Sequence, residues 1–185
     1  MTKKLPKNWS NIDLENAITF VIGGDWGVEP TENLNNDYKD VLCIRGGELK
    51  KWRIEKGKSA SLRAISADSL EKRQLRKGDI LLEISGGGPD QPVGRTVLID
   101  DEVLNFKPEL PKITTNFFRL VRINPKINSS YINYYLQSFY NSGQIVNYQG
   151  GSNNLRNLKF KEFVKINIPL APINEQKKIV QKIDK

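Results

Sequence analysis

Apolar residues alternate with polar ones at the start of the chain, at Trp9, Ile12 and Leu14 and again at Ile18, Phe20 and Ile22. A period of two sends successive side chains to opposite faces of a strand, so short strands are expected over 9–13 and 18–22 with a helical turn between them. Gly23-Gly24 ends the run, and a polar loop with Pro30 fills 23–38. Val41-Leu42-Cys43-Ile44 is wholly apolar and reads as a buried strand that stops at Gly46-Gly47. The next stretch, 48–66, is basic and weakly patterned, and predicts no element. Ser66 or Asp68 can cap a short helix running to Gln74.

Lys77-Gly78-Asp79 reads as a turn into a strand over 80–84, and 94–99 reads as another, with the glycine-rich loop 85–92 between them. Asp100-Asp101 turns into 102–106, and Pro108 and Pro111 mark a loop. The β-branched and aromatic residues from Ile113 to Ile123 predict one strand. Asn128 and Ser129 cap a helix whose apolar face is Ile132, Tyr135, Leu136 and Phe139, spaced i, i+3, i+4, i+7. Gly143 interrupts it. A helical turn is expected at 159–163, a strand at 164–168, and a linker bracketed by Pro169 and Pro172. From Ile173 to Lys185 the pattern is helical. Ile173, Gln176, Val180 and Ile183 are spaced 3-4-3, which opens a coiled-coil seam, although an ordinary amphipathic helix has the same spacing over one repeat. The sum is a strand-rich α+β domain with peripheral helices over 1–170, followed by a coiled-coil-like helix over 171–185. No internal repeat of solenoid length is present.

Composition narrows the chemistry. The chain has 185 residues, no histidine and one cysteine, Cys43. The lack of histidine removes Ser-His-Asp and Cys-His triads and nearly every zinc site. One cysteine allows no internal disulfide and fits a reducing compartment. Cys43 sits in an apolar strand, as a buried structural thiol does. No apolar run reaches the roughly 20 residues needed to span a bilayer. Lysines in the first six residues are followed by no apolar stretch, so no signal peptide is expected and the cytoplasm is the expected location. No catalytic constellation, cofactor or metal site is expected.

The net charge is +8, which suggests an anionic partner. Between Arg45 and Lys77 stand eleven basic residues (Arg45, Lys50, Lys51, Arg53, Lys56, Lys58, Arg63, Lys72, Arg73, Arg76, Lys77) against four acids (Glu48, Glu55, Asp68, Glu71), an excess of seven. With Trp52 in its middle, this segment is the candidate for phosphate contact. Gly86-Gly87-Gly88 follows a strand, but Pro89 comes next and no Gly-Lys-Ser/Thr occurs, so it is neither a P-loop nor a dinucleotide fingerprint. It reads as an exposed loop, and such loops often carry recognition. Asn124-Pro125 is followed by Lys126, not by the second proline and aromatic residue of an amino-methyltransferase motif. Trp9, Phe117, Phe118 and the aromatics of 131–140 are expected in the core. Trp26 and Trp52 lie in polar context and are the aromatics to consider for base contact.

Several segments resemble the target-recognition domain of the specificity (S) subunit of type I restriction–modification enzymes. They are Leu5-Pro6-Lys7-Asn8-Trp9, Leu75-Arg76-Lys77-Gly78-Asp79-Ile80-Leu81, Gly94-Arg95 after a glycine loop, Tyr131-Ile132-Asn133-Tyr134-Tyr135-Leu136, and Gly150-Gly151-Ser152 with Asn154-Leu155. The most specific runs from Ile168 through Pro169-Leu170-Ala171-Pro172-Ile173-Asn174-Glu175-Gln176 to Val180, where Ala171 replaces the family's usual proline. The resemblance covers essentially the whole chain. It implies one of the two recognition domains of an S subunit plus the start of one spacer helix, whether as a natural half subunit or a piece of a larger one. It also implies double-stranded DNA, methyltransferase (M) and restriction (R) subunits, and a second half subunit or self-association through the helix, as partners.

On that reading, Lys50, Lys51, Lys56 and Lys58 grip phosphate, Trp52 is a DNA-binding candidate for base or sugar contact, and Arg45, Arg53, Arg63, Gln91, Arg95, Asn153, Asn154 and Arg156 are candidates for base edges, since arginine pairs with guanine and amides with adenine. Arg95 and Asn154 can equally brace the turns after their glycines. Ile173, Gln176, Val180 and Ile183 form the partner-facing stripe. Two other classes fit the residues. Glu48-Leu49-Lys50, with Asp37 or Asp40, makes a loose magnesium-nuclease pattern, as does Glu175-Gln176-Lys177. The tail helix also fits a protein-interaction fragment that docks on M subunits.

Overall fold

A computed structural model describes residues 5–31, 34–88, 90–152 and 155–185. In chain order the elements are β1 (Ser10–Asp13), α1 (Leu14–Ala17), β2 (Ile18–Gly23), β3 (Tyr38–Ile44), α2 (Trp52–Glu55), β4 (Ser61–Ser66), α3 (Ala67–Arg73), β5 (Ile80–Glu83), β6 (Ser85–Gly86) and β7 (Thr96–Leu98). They continue as α4 (Asp101–Asn105), β8 (Lys112–Thr114), β9 (Phe118–Ile123), α5 (Ser129–Asn141), β10 (Gln149–Ser152), β11 (Leu155–Leu158), α6 (Phe160–Phe163), β12 (Asn167–Leu170) and α7 (Ile173–Ile183).

The expected α+β class holds. The central layer is a four-stranded sheet in the order β2-β9-β5-β7. Its alternation feeds two cores, because neighbouring strand residues point to opposite faces. Ile80 and Leu82 of β5 join Val121 and Ile123 of β9 on one face, under Tyr131, Ile132 and Leu136 of α5. Leu81, Phe118 and Leu120 join Ile44, Trp52, Ile99 and Val103 on the other. Covered on both sides, β5 has no exposed residue, which is why its sequence runs Ile-Leu-Leu without a polar break. A second sheet, β4-β3-β8, is antiparallel on one side of β3 and parallel on the other. It buries Val41, Cys43, Ile65 and Ile113 against Leu70 of α3. Two smaller sheets complete the fold: β10-β11-β6, and the pair β1-β12 that brings the two ends of the chain together.

The caps read from the sequence are present. Asn128 accepts from the N–H of Tyr131 at 3.1 Å and Ser66 from that of Ser69 at 3.3 Å; Asp100, read only as part of a turn, also caps a helix, accepting from the N–H of Val103 at 3.1 Å. Three expectations are corrected. The segment 48–66 contains β4, whose Ser61-Leu62-Arg63-Ala64-Ile65 hides its alternation because an arginine takes an inward position. The single strand over 113–123 is two, broken by a turn at 115–117, with β8 in one sheet and β9 in another. The strand placed at 164–168 lies at 167–170, because the carbonyls of Val164 and Ile166 accept from Glu15 and Leu14 of α1 and not from a neighbouring strand.

Candidate nucleic-acid interface

Where β3, β5 and β6 end, the chain leaves a groove of about 490 Å³. One wall is the Gly46-Gly47 turn with Lys50 behind it, and the other is Ser85, Gly86-Gly87-Gly88, Asp90 and Gln91. Glu83, Arg95 and Phe118 form the bottom. Phe117 stands at the rim, 46% exposed.

The glycine loop is shaped, not slack. Gly88 and Gln91 exchange backbone hydrogen bonds of 3.0 and 3.3 Å across it. Gly87 has φ +71°, and a Cβ there would lie 2.5 Å from the Gln91 carbonyl oxygen, so this turn admits only glycine. The far end of the loop is tied to the β10–β11 hairpin through Val93 N–H, which donates to Gln149 Oε1 at 3.0 Å. The near end is tied to the β8–β9 turn, where the Phe117 carbonyl accepts from both Ile84 at 2.8 Å and Ser85 at 3.2 Å.

Arg95 is spent within the protein. Its Nε and Nη2 donate to the two oxygens of Glu83 at 2.9 and 2.5 Å, and Nη2 also reaches the Gly46 carbonyl at 3.4 Å. Burial disfavours its charge, but the Glu83 carboxylate outweighs that and holds its pKa above the ordinary value. Arg95 therefore ties the bottom of the groove to the Gly46-Gly47 wall. This is the bracing role, not the base-reading one.

Of the candidate residues, the groove brings together Lys50, Gln91 and Arg95. Arg156 lies on β11 directly opposite Gly86, so it belongs to the same sheet as one wall, and its side chain is half-buried and engaged within the protein. Asn153 and Asn154 lie outside the described residues. Lys51, Arg53, Lys56 and Lys58 gather instead around α2. There Lys51 pairs with Glu55 at 3.3 Å, Lys56 with Asp100 at 2.5 Å and Lys58 with Glu102 at 3.2 Å. Arg53 is exposed and has no carboxylate within ion-pair distance among the described residues.

Two contact residues are corrected outright. Trp52 is 9% exposed, packed with Ile44 in the core beside Gly57. Arg63 is 5% exposed, with its guanidinium 4.2 Å from the Trp26 ring centre, its Nε and Nη2 donating to the carbonyls of Trp26 and Gly27, and Nη1 paired with Glu29. Trp26, 36% exposed, is thus a lid on Arg63.

Arg45 is held by Glu48, which also accepts from the Arg45 backbone N–H at 2.6 Å. The hydrogen bonds that the Arg45 guanidinium donates to Glu48 raise its pKa. Glu48 is 3% exposed and committed to capping the exit of β3, so the nuclease reading loses its carboxylate. Glu175 of the second such pattern accepts from Trp9 Nε1 at 3.1 Å.

The charged stretch 45–77 is less cationic in space than along the chain. Arg45, Lys51, Lys56, Lys58, Arg63, Lys72 and Lys77 each stand in an ion pair. Three of the acids, Asp100, Asp101 and Glu102, come from the start of α4 and its cap, which sequence proximity could not reveal. Phe117, expected in the core, is instead exposed. Its neighbour Phe118 opens β9 and is fully buried, while Phe117 sits in the turn between β8 and β9, a break inside an apolar run that carries no local sequence signal.

The helical stripe divides. Gln176 is 2% exposed and points inward, accepting from Asn128 N–H at 2.9 Å and donating to the Ala171 carbonyl at 2.7 Å. Val180 packs against the domain core, as does Ile179. Ile173 and Ile183 remain exposed.

Comparison with known proteins gives one family. The model described as "Type I restriction modification DNA specificity domain" matches residues 8–185. The type I restriction enzyme StySPI specificity subunit of Salmonella potsdam is 25% identical over 183 residues, which cover 98% of this chain and 36% of that protein. Solved structures share the fold, among them two S subunits. The HsdS subunit from Thermoanaerobacter tengcongensis has TM-score 0.56 at 19% identity, covering 99% of this chain and 38% of that one. The type I S subunit from M. genitalium has TM-score 0.59 at 16% identity, covering 98% and 40%. The chain therefore spans roughly two fifths of the length of these relatives.

Proposed function

The chain belongs to the family of type I restriction–modification DNA specificity domains, and from that premise we propose that it reads one half of a bipartite duplex DNA site without chemistry of its own, directing M and R subunits to it. The observation that carries the reading is the groove: an unpaired lysine and an amide side chain stand on walls of glycine that let a nucleic-acid backbone approach closely. Lys50, exposed and with no ion-pair partner among the described residues, suits a phosphate. Gln91, on the loop fixed by its backbone exchange with Gly88, suits the N6 and N7 of adenine in the major groove. Residues 1–170 form the reading domain and 171–185 begin the spacer helix. Ile173 and Ile183 are the positions on it left for an M subunit or a second half subunit. No helix among the described residues is long and apolar enough to cross a membrane. A DNA reader of this kind acts in the cytoplasm.

Selection of bound duplexes from a random pool, followed by fluorescence anisotropy with the 185-residue chain, tests this. A short consensus should emerge and bind more tightly than its scrambles. Gln91→Ala should cost about 1–3 kcal/mol on the consensus and relax the preference at one base pair. Equal binding of consensus and scrambled duplexes at every salt concentration would end this reading.

A further inference from the structure

Phe117 is a large apolar side chain that the β8–β9 turn holds 46% exposed at the rim of the groove. The β8–β9 turn that carries it is held tightly: Phe118 N–H donates to the Thr115 carbonyl at 3.0 Å, and Phe117 N–H to Thr115 Oγ1 at 3.4 Å. The Phe117 carbonyl in turn holds Ile84 and Ser85, where the chain leaves β5 and enters the glycine loop. The ring is thus anchored by its own backbone to the segment that presents Gln91, and both side chains line the same groove. Adjacent Phe118 fills the core completely, so the turn could have buried one more aromatic only by facing the other way. Among the described residues that line the groove, Phe117 is the one exposed ring, set among glycines and polar groups.

We infer that Phe117 is a specificity-determining residue that makes apolar contact with the 5-methyl group of a thymine, beside the base pair that Gln91 reads. In the major groove the thymine methyl is the apolar feature that distinguishes one base pair from the others, and phenylalanine is among the side chains that meet it. A rigid rim carrying one ring and one amide therefore has the chemistry to prefer an A·T step. This rests on the DNA-reading function above, and the test separates the two.

In the selected duplex each thymine is replaced singly by deoxyuridine, which removes the methyl and leaves base pairing intact. With the unchanged protein, one such replacement should weaken binding about fourfold, the loss that burying one methyl-sized group explains. It should lie within one base pair of the position that Gln91→Ala relaxes. Phe117→Ala should weaken the consensus about fourfold, and the sensitive deoxyuridine should then cost it nothing more. If every deoxyuridine duplex binds like the parent while the consensus still outcompetes its scrambles, the thymine contact is wrong and the reading function stands. If Phe117→Ala weakens all duplexes alike, with no deoxyuridine effect in the unchanged protein, the ring stacks without reading and the proposal is overturned. If no consensus emerges, both fall.

Discussion

Glu83 lies at the bottom of the groove, 3% exposed, with both oxygens taken by Arg95. A carboxylate in that position is tolerable only because the guanidinium matches it with two parallel donors. Arg95→Ala strands the charge, and a loss of about 3 kcal/mol is expected, at the lower end for a broken buried pair because the groove admits water. In a chain of this size that corresponds to a fall in Tm of about 6–12 °C. Arg95→Lys should recover only part of it, since an ammonium cannot make the two-pronged contact. A melt unchanged within about 2 °C for Arg95→Ala would show that the groove walls do not depend on this pair. Read from its position after Gly94, Arg95 suits base reading and bracing equally. The choice between them depends on Glu83, twelve residues earlier and on the adjacent strand.

Among the elements, α7 shows how the same spacing can serve two surfaces. Its 3-4-3 stripe is legible in sequence, but the buried member is a glutamine. Gln176 fills a polar gap between the cap of α5 and the end of β12, bonding Asn128 N–H and the Ala171 carbonyl. Tyr131 Oη donates to the Pro169 carbonyl at 2.6 Å beside it. Gln176→Ala leaves a buried donor and a buried acceptor without partners, and should cost about 1–3 kcal/mol. Hydrogen exchange should quicken first at Asn128 and in the first turn of α5, ahead of global unfolding. Unchanged protection there would mean that α7 is an appendage and not a part of the domain.

For the whole molecule, charge is the property most changed by folding. The excess of seven along 45–77 suggests a broad cationic face, yet α4 and its cap carry acids onto Lys56, Lys58 and Lys77. DNA binding should accordingly depend on few phosphate contacts. Lys50→Ala should lower the slope of log K against log salt by about 0.9, the release of one counterion. Lys77→Ala, whose ammonium already faces Asp101 at 2.5 Å, should change the slope by much less. Equal changes for the two would show that the pairs open on binding and that the full cationic segment grips the duplex.

Local chemistry determined a good deal by itself. The caps at Ser66 and Asn128, the buried run at 80–83, the glycine loop and the helix at 173–183 all follow from residue types acting over a few positions, and the family motifs are carried by such segments. What tertiary structure decided concerns partners far apart in the chain. It buried Trp52 and Arg63 by bringing Ile44 and Trp26 to them, moved the last strand to 167–170 by pairing it with β1, and turned Phe117 outward by splitting one apolar run between two sheets. A side chain's type is written in the sequence. Whether it faces core, counter-charge or solvent is set by elements that meet only when the chain has closed on itself.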